Sequence, residues 1–275
     1  MIEWVIAGLF GLLIGSFLNV CIYRWPRDLS VVRPRSACIA CEKPIAWFDN
    51  VPVLSFLILR GHCRQCGARI HWRYPVVELM TAISFAYFVH QGGLSVEALK
   101  YCVFAAIVIA LVFCDLEMLI LPDEFTIGGF GIGLVFAWFT PVPDTTFHLI
   151  ASLFGVLPGP RAGMLGEALL GAIVPAGSIW FGGWLFEKIR HKEGLGFGDV
   201  KMLAMVGAFL GIRGVLLTIM LGAVAGSVVG LVFIKLTNKD AASYPLPFGS
   251  FLGAAALVAA VEGQRVIGWY ARNLP

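Results

Sequence analysis

The sequence predicts an all-α polytopic membrane protein of about eight transmembrane helices, with a small extramembrane domain between the first and second helices. Three observations carry that expectation. The 275 residues are 59% hydrophobic and only 13% charged, where soluble domains carry roughly a quarter charged residues. Apolar stretches recur that approach the roughly 20 residues needed to cross hydrocarbon. A polar interruption at residues 23–74 breaks this pattern and holds two closely spaced cysteine pairs.

The apolar stretches lie at 3–22, 75–91, 98–116, 125–142, 166–186, 199–212, 214–234 and 248–263. The sixth has only about 14 residues, a length at which buried or re-entrant segments also occur, so seven spans remain open. Glu3 precedes the first stretch, Arg24 and Arg27 follow it, and no small-residue cleavage site comes after. That charge order is the reverse of a signal peptide's, so residues 1–22 are expected to be an uncleaved first transmembrane helix.

Charge placement predicts orientation, because Lys and Arg concentrate in cytoplasmic loops. Residues 23–74 hold nine of these basic residues, the 188–201 loop four and the 235–247 loop two. The other side has only Lys100, Arg161, Arg213, Arg265 and Arg272. The amino terminus is therefore expected outside the cytoplasm, and with eight spans the carboxyl terminus too. A net charge of +3 invites no nucleic-acid partner, since the basic residues are explained by orientation and form no stripe interleaved with aromatics. The Gly- and Pro-rich 155–163 stretch reads as an extracytoplasmic loop.

Within residues 23–74, Cys38, Cys41, Cys63 and Cys66 form two CxxC units. Two residues between thiolates let one tight turn present both sulfurs to a tetrahedral Zn²⁺, and two such turns close a structural site with no position left for water. A segment of about 50 residues lacks the area for a self-sufficient core, the usual reason small domains acquire a metal. Four free thiols or two disulfides are the alternatives, but disulfides rarely persist in the reducing cytoplasm. The expected organisation is a first helix at 1–22, a zinc-stapled cytoplasmic domain at 23–74 and a membrane-embedded core at 75–275. His62 and His71 flank the second pair and read as surface histidines; Cys21, Cys102 and Cys114 lie in apolar spans and read as small buried hydrophobes.

Charged side chains in or beside a span are functional candidates by default. Asp115 lies near the cytoplasmic end of the third stretch, and Asp199 follows Gly196, Phe197 and Gly198 to open the sixth. The topology puts both at the same boundary. Two carboxyl groups sharing a site do not both ionise readily, so one keeps a proton while the other acts as a base toward water, the chemistry of peptide hydrolysis. The residues alone leave other roles open: an N-cap for Asp199, a boundary carboxylate reaching water for Asp115, and Glu117, Asp123 and Glu124 as competing acids.

The chain resembles the type IV prepilin peptidase family, the GxGD-type intramembrane aspartyl proteases, over nearly its whole length. The similarity begins with Gly15, Ser16, Phe17, Leu18, Asn19 and Val20, then Arg24 and Pro26. It continues through Trp47 to Pro52 between the cysteine pairs and Arg73 to Leu79 after them. Asp115, seven residues ahead of Pro122, is similar to the family's first catalytic aspartate, and Gly196, Phe197, Gly198 and Asp199 match the GxGD signature that carries the second. Pro247, Phe248 and Gly249 resemble a late family motif, while Glu117 departs from the second aspartate of many relatives.

The resemblance implies a multi-pass protein of the bacterial inner membrane that removes the short basic leader from type IV prepilins or type II secretion pseudopilins on the cytoplasmic side. It also implies N-methylation of the new amino terminus with S-adenosylmethionine, although residues 23–74 contain no glycine-rich nucleotide-binding strand and helix that would locate the donor. Two rival readings differ in chemistry. A membrane zinc hydrolase would need an open metal site, and the sequence has no HExxH. A polytopic transporter with a structural zinc domain would use boundary carboxylates to bind protons or cations.

Overall fold

A computed structural model describes residues 2–191, 196–237 and 246–273. The segments 192–195 and 238–245, parts of the two later basic loops, lie outside the described residues. Nine α-helices follow in chain order among the described residues: α1 (Ile2–Arg24), α2 (Leu54–Ile58), α3 (Arg73–Gly92), α4 (Val96–Met118), α5 (Asp123–Phe139), α6 (Thr146–Leu153), α7 (Pro160–Arg190), α8 (Phe197–Thr237) and α9 (Phe248–Asn273). The described β pairing is limited to two isolated bridges, Ala37 with Pro44 and His62 with Arg69.

Among the described residues, four helices are long and apolar enough to cross a membrane: Ile2–Arg27, Val96–Met118, Pro160–Arg190 and Phe197–Phe233. The described residues therefore form an all-helical, polytopic protein. The other apolar stretches read from the sequence fall in α3, α5 and α9, with 140–142 lying beyond the end of α5. The sixth and seventh stretches share α8, interrupted at Gly211, whose φ of 72° and ψ of −178° leave the helical region. Glycine meets that conformation without the steric penalty of a Cβ.

The chain divides within α4 into two compact units, Met1–Ala110 and Leu111–Pro275. In the first, α1 and α3 run antiparallel with small residues at their contact. A Cβ at Gly11 would lie 2.7 Å from Ala82 Cα, and one at Gly15 would lie 2.6 Å from Glu78 Cα. Small residues at three- and four-residue intervals allow helix backbones this close approach within a membrane. The Asn19 amide then donates to the carbonyls of Gly15 and Tyr74, at 3.3 and 3.1 Å. Glu78 Oε2 accepts the Val53 N–H at 2.7 Å, tying α3 to the entry of α2, where Val53 adopts a φ of 58°. A β-branched residue rarely takes a positive φ without such support.

In the second unit, Ala137, Val142 and Ala168 form a core with Leu134 and Leu165. The opening half of α8 is buried almost all round, with Met202, Met205, Val206, Ala208 and Phe209 each at 0% exposure. A helix apolar on every face is one enclosed by its neighbours. After Gly211 the exposed Val224, Val228 and Leu231 form an outward apolar face. This explains the short sixth stretch: it is enclosed by protein. Helix α6 was not expected from the sequence, and α7 begins at Pro160, inside the stretch read as a loop, with proline in its first turn.

Candidate active site and metal cluster

The cysteine domain is built from two similar turns. In the first, Cys38 N–H donates to Lys43 O at 3.0 Å and Glu42 N–H to Cys38 O at 2.8 Å; in the second, Cys63 N–H donates to Ala68 O at 2.8 Å and Gly67 N–H to Cys63 O at 2.9 Å. The residue after each pair takes a left-handed conformation, Glu42 with φ 56° and Gly67 with φ 70°. The turns converge, and the sulfurs of Cys38, Cys41, Cys63 and Cys66 all lie within 4.8 Å of one another. The backbone N–H groups of Cys66 and Gln65 act on the Cys63 sulfur and bring its thiol down to about 7, while hydrogen bonds with the neighbouring sulfurs push the Cys66 thiol up to about 11.

This four-sulfur donor set fits a tetrahedral metal and leaves no open coordination position. His62 is engaged through Nδ1 with the Arg60 carbonyl at 2.7 Å, and His71 Nδ1 accepts the Arg73 N–H at 3.2 Å. Neither histidine belongs to the sulfur cluster. Beside it, Arg64 grips Asp49 through Nε and a terminal nitrogen at 2.8 and 2.7 Å, and these hydrogen bonds hold the Asp49 carboxyl below its usual range. That pair links the stretch between the cysteine pairs to the second turn.

The acids lie in the other unit. Asp115 occupies the last turn of α4 and is 6% exposed. The helix ends just beyond it, where Leu119 donates to Asp115 O and takes a left-handed φ of 55°. Asp199 is half-buried in the first turn of α8, its N–H donating to Gly196 O at 3.1 Å. It stands in the first turn, two residues after the start of α8 at Phe197. Both side chains line one cavity of about 680 Å³, together with Leu119 to Leu121, Gly196, Gly198, Lys201, Leu246, Phe248 and Gly249.

The first turn of α9 closes on Asp115. The Ser250 N–H and hydroxyl lie 2.6 and 2.8 Å from Asp115 Oδ2. A Cβ on Gly249 would lie only 3.1 Å from Asp115 Cγ and 3.1 Å from Leu121 Cδ1, so glycine lets the helix end seat against the carboxyl. The residues Pro247, Phe248 and Gly249, singled out in the sequence, thus border this cavity or lead directly into it. Ser250 was missed because nothing in local sequence distinguishes a serine that meets a partner 135 residues away.

The competing acids have different surroundings. Asp123 begins α5 and pairs with Lys201, which extends from the first turns of α8 at the cavity. Glu124 is exposed, and neither it nor Glu117 is among the residues lining the cavity.

Comparisons with known proteins agree with this architecture. Residues 9–91 match the bacterial peptidase A24 N-terminal domain, and residues 102–231 match the type IV leader peptidase family. The prepilin leader peptidase/N-methyltransferase of Aeromonas hydrophila is 34% identical over 292 residues, covering 96% of this chain and 92% of the relative. The protein of the same name from Pseudomonas aeruginosa is 32% identical over 285 residues, covering 95% and 91%. That of Myxococcus xanthus is 36% identical over 229 residues, covering 83% and 62%. No solved structure matches the chain. Matching family domains on both sides of residue 100 and identity along nearly the whole length establish that the chain belongs to the type IV leader peptidase family.

Proposed function

We propose that this protein is a membrane aspartyl endopeptidase that removes the basic leader from type IV prepilins or type II secretion pseudopilins and then methylates the new amino terminus. The observation that carries the peptidase reading is the shared cavity of Asp115 and Asp199. One carboxyl keeps a proton while the other takes a proton from water. The water oxygen attacks the scissile carbonyl carbon as the protonated acid donates to the carbonyl oxygen. Collapse of the tetrahedral intermediate breaks the C–N bond, and a proton passes to the departing amine.

The proposed setting is the inner membrane, with about eight spans formed by α1, α3, α4, α5, α7, the two halves of α8, and α9. The cavity and residues 23–74 face the cytoplasm, where the positive-inside rule also places a basic leader. Residues 75–275 form the protease core. Cys38, Cys41, Cys63 and Cys66 would hold a structural Zn²⁺, which supplies folding energy to a domain without a core of its own. The methyl donor implied by the family is S-adenosylmethionine. The described residues form no strand-and-helix nucleotide cradle, so no residue is assigned to it.

The test is to incubate the purified protein with a synthetic prepilin carrying its leader and first helix, with and without S-adenosylmethionine. Mass spectrometry is expected to find cleavage at the end of the leader, and a product heavier by one methyl group only when the donor is present. An intact substrate under conditions that support a known relative would refute the peptidase reading.

A further inference from the structure

Resting on the acid-pair reading, we propose that Ser250 is a positioning residue that holds Asp115 in both of its protonation states. Three distances carry the inference. The Ser250 N–H lies 2.6 Å from Asp115 Oδ2, its Oγ lies 2.8 Å from the same oxygen, and Oγ also lies 3.0 Å from the Val112 carbonyl. Both Ser250 and Asp115 are 6% exposed, so water is poorly placed to substitute for these partners.

A hydroxyl has one proton and two lone pairs, whereas a carbonyl only accepts. Ser250 therefore has two hydrogen-bonding arrangements at fixed heavy-atom positions. With Asp115 ionised, the serine proton points to Oδ2, which accepts from both the backbone N–H and the hydroxyl. With Asp115 protonated on Oδ2, the carboxyl O–H donates to Oγ, and the serine proton turns to the Val112 carbonyl. Rotation about one C–O bond exchanges the two.

The consequence bears on the reaction. An acid that gains and loses a proton in each cycle needs a neighbour satisfied by either state, since a buried polar group left without a partner is costly. Ser250 supplies one without moving the carboxyl. Ser250 engages Oδ2 alone and leaves Oδ1 outside this contact. The Gly249 backbone completes the seat, because a larger residue there would push the first turn of α9 away from Asp115.

The test compares Ser250→Ala, Ser250→Val and Ser250→Thr in the full-length protein with a synthetic prepilin, alongside Asp115→Asn and Asp199→Asn. Thr and Val have nearly the same shape and differ in the hydroxyl. Ala and Val are expected to lower kcat about tenfold with KM within about twofold of wild type, and Thr to restore most of kcat. Wild-type kcat in the Ala variant, or an equal loss in Thr and Val, would overturn the role of the hydroxyl. Cleavage persisting in either Asn variant would instead overturn the acid pair itself, so the two failures are separable.

Discussion

The Asp144 carboxylate accepts the backbone N–H of Arg213 across 3.0 Å, at the point where α8 is interrupted. Its other oxygen accepts the N–H groups of Thr145 and Thr146 and the Thr146 hydroxyl, at 2.8, 3.1 and 2.7 Å. A Cβ on Gly211 would lie 2.7 Å from Asp144 Cβ, so the break and the clasp fit only with glycine. Asp144→Ala removes the acceptor for four donors in a buried setting, a loss of about 3 kcal/mol or more at the usual cost of unsatisfied groups. The thermal unfolding midpoint in detergent is expected to fall by several degrees. An unchanged midpoint would show that the clasp is dispensable.

The contact of α7 with α8 depends on absent side chains. A Cβ at Gly207 would run into the Gly171 carbonyl oxygen, a clash with backbone that no rotamer relieves. Gly207→Ala is expected to destabilise by about 1 to 3 kcal/mol as the helices are forced apart. Gly177→Ala provides the contrast, because nothing lies within 4 Å of its Cβ. There the helix preference for alanine over glycine, about 1 kcal/mol, makes the change neutral or stabilising. Equal losses at the two sites would contradict this packing.

Metal removal separates a structural cluster from a catalytic one. Purified protein is expected to carry one zinc per chain, and Cys41→Ser or Cys66→Ser to lose it. A chelator at low temperature should leave the initial cleavage rate unchanged, with activity declining only as residues 23–74 unfold. Instant loss of hydrolysis on chelation, restored at once by metal, would instead make the metal part of the chemistry.

Asp123 tests whether proximity to the cavity is enough. Its side chain is 58% exposed, and ion pairs this open contribute about 0 to 1 kcal/mol. Asp123→Asn is expected to keep most of the cleavage rate and to change stability by less than about 1 kcal/mol. A loss of rate as severe as in a dyad variant would move Asp123 into the chemistry.

Some of this architecture is legible along the chain because its signals are local. Apolar length marks the membrane helices, CxxC spacing anticipates the convergence of four sulfurs, and acids flanked by apolar residues mark Asp115 and Asp199. The structure brings those two acids to one cavity. What stayed hidden depends on partners distant in sequence. Asp144 lies in a short connection with no periodic pattern, and its meaning comes from Arg213, 69 residues later. Ser250 meets Asp115 from a helix 135 residues away. Helix α6 has eight residues, too few for periodicity to separate it from a loop, and its first turn is held by Glu167 through the N–H groups of Phe147 and His148.

The most direct measurement is the rate of prepilin cleavage by Asp115→Asn and Asp199→Asn, each purified to the same folded state as wild type. Each substitution nearly preserves shape while removing the ability to exchange a proton, so each is expected to lower kcat by about 10³-fold or more. Cleavage at near wild-type rate by either variant would contradict the shared role of these two acids.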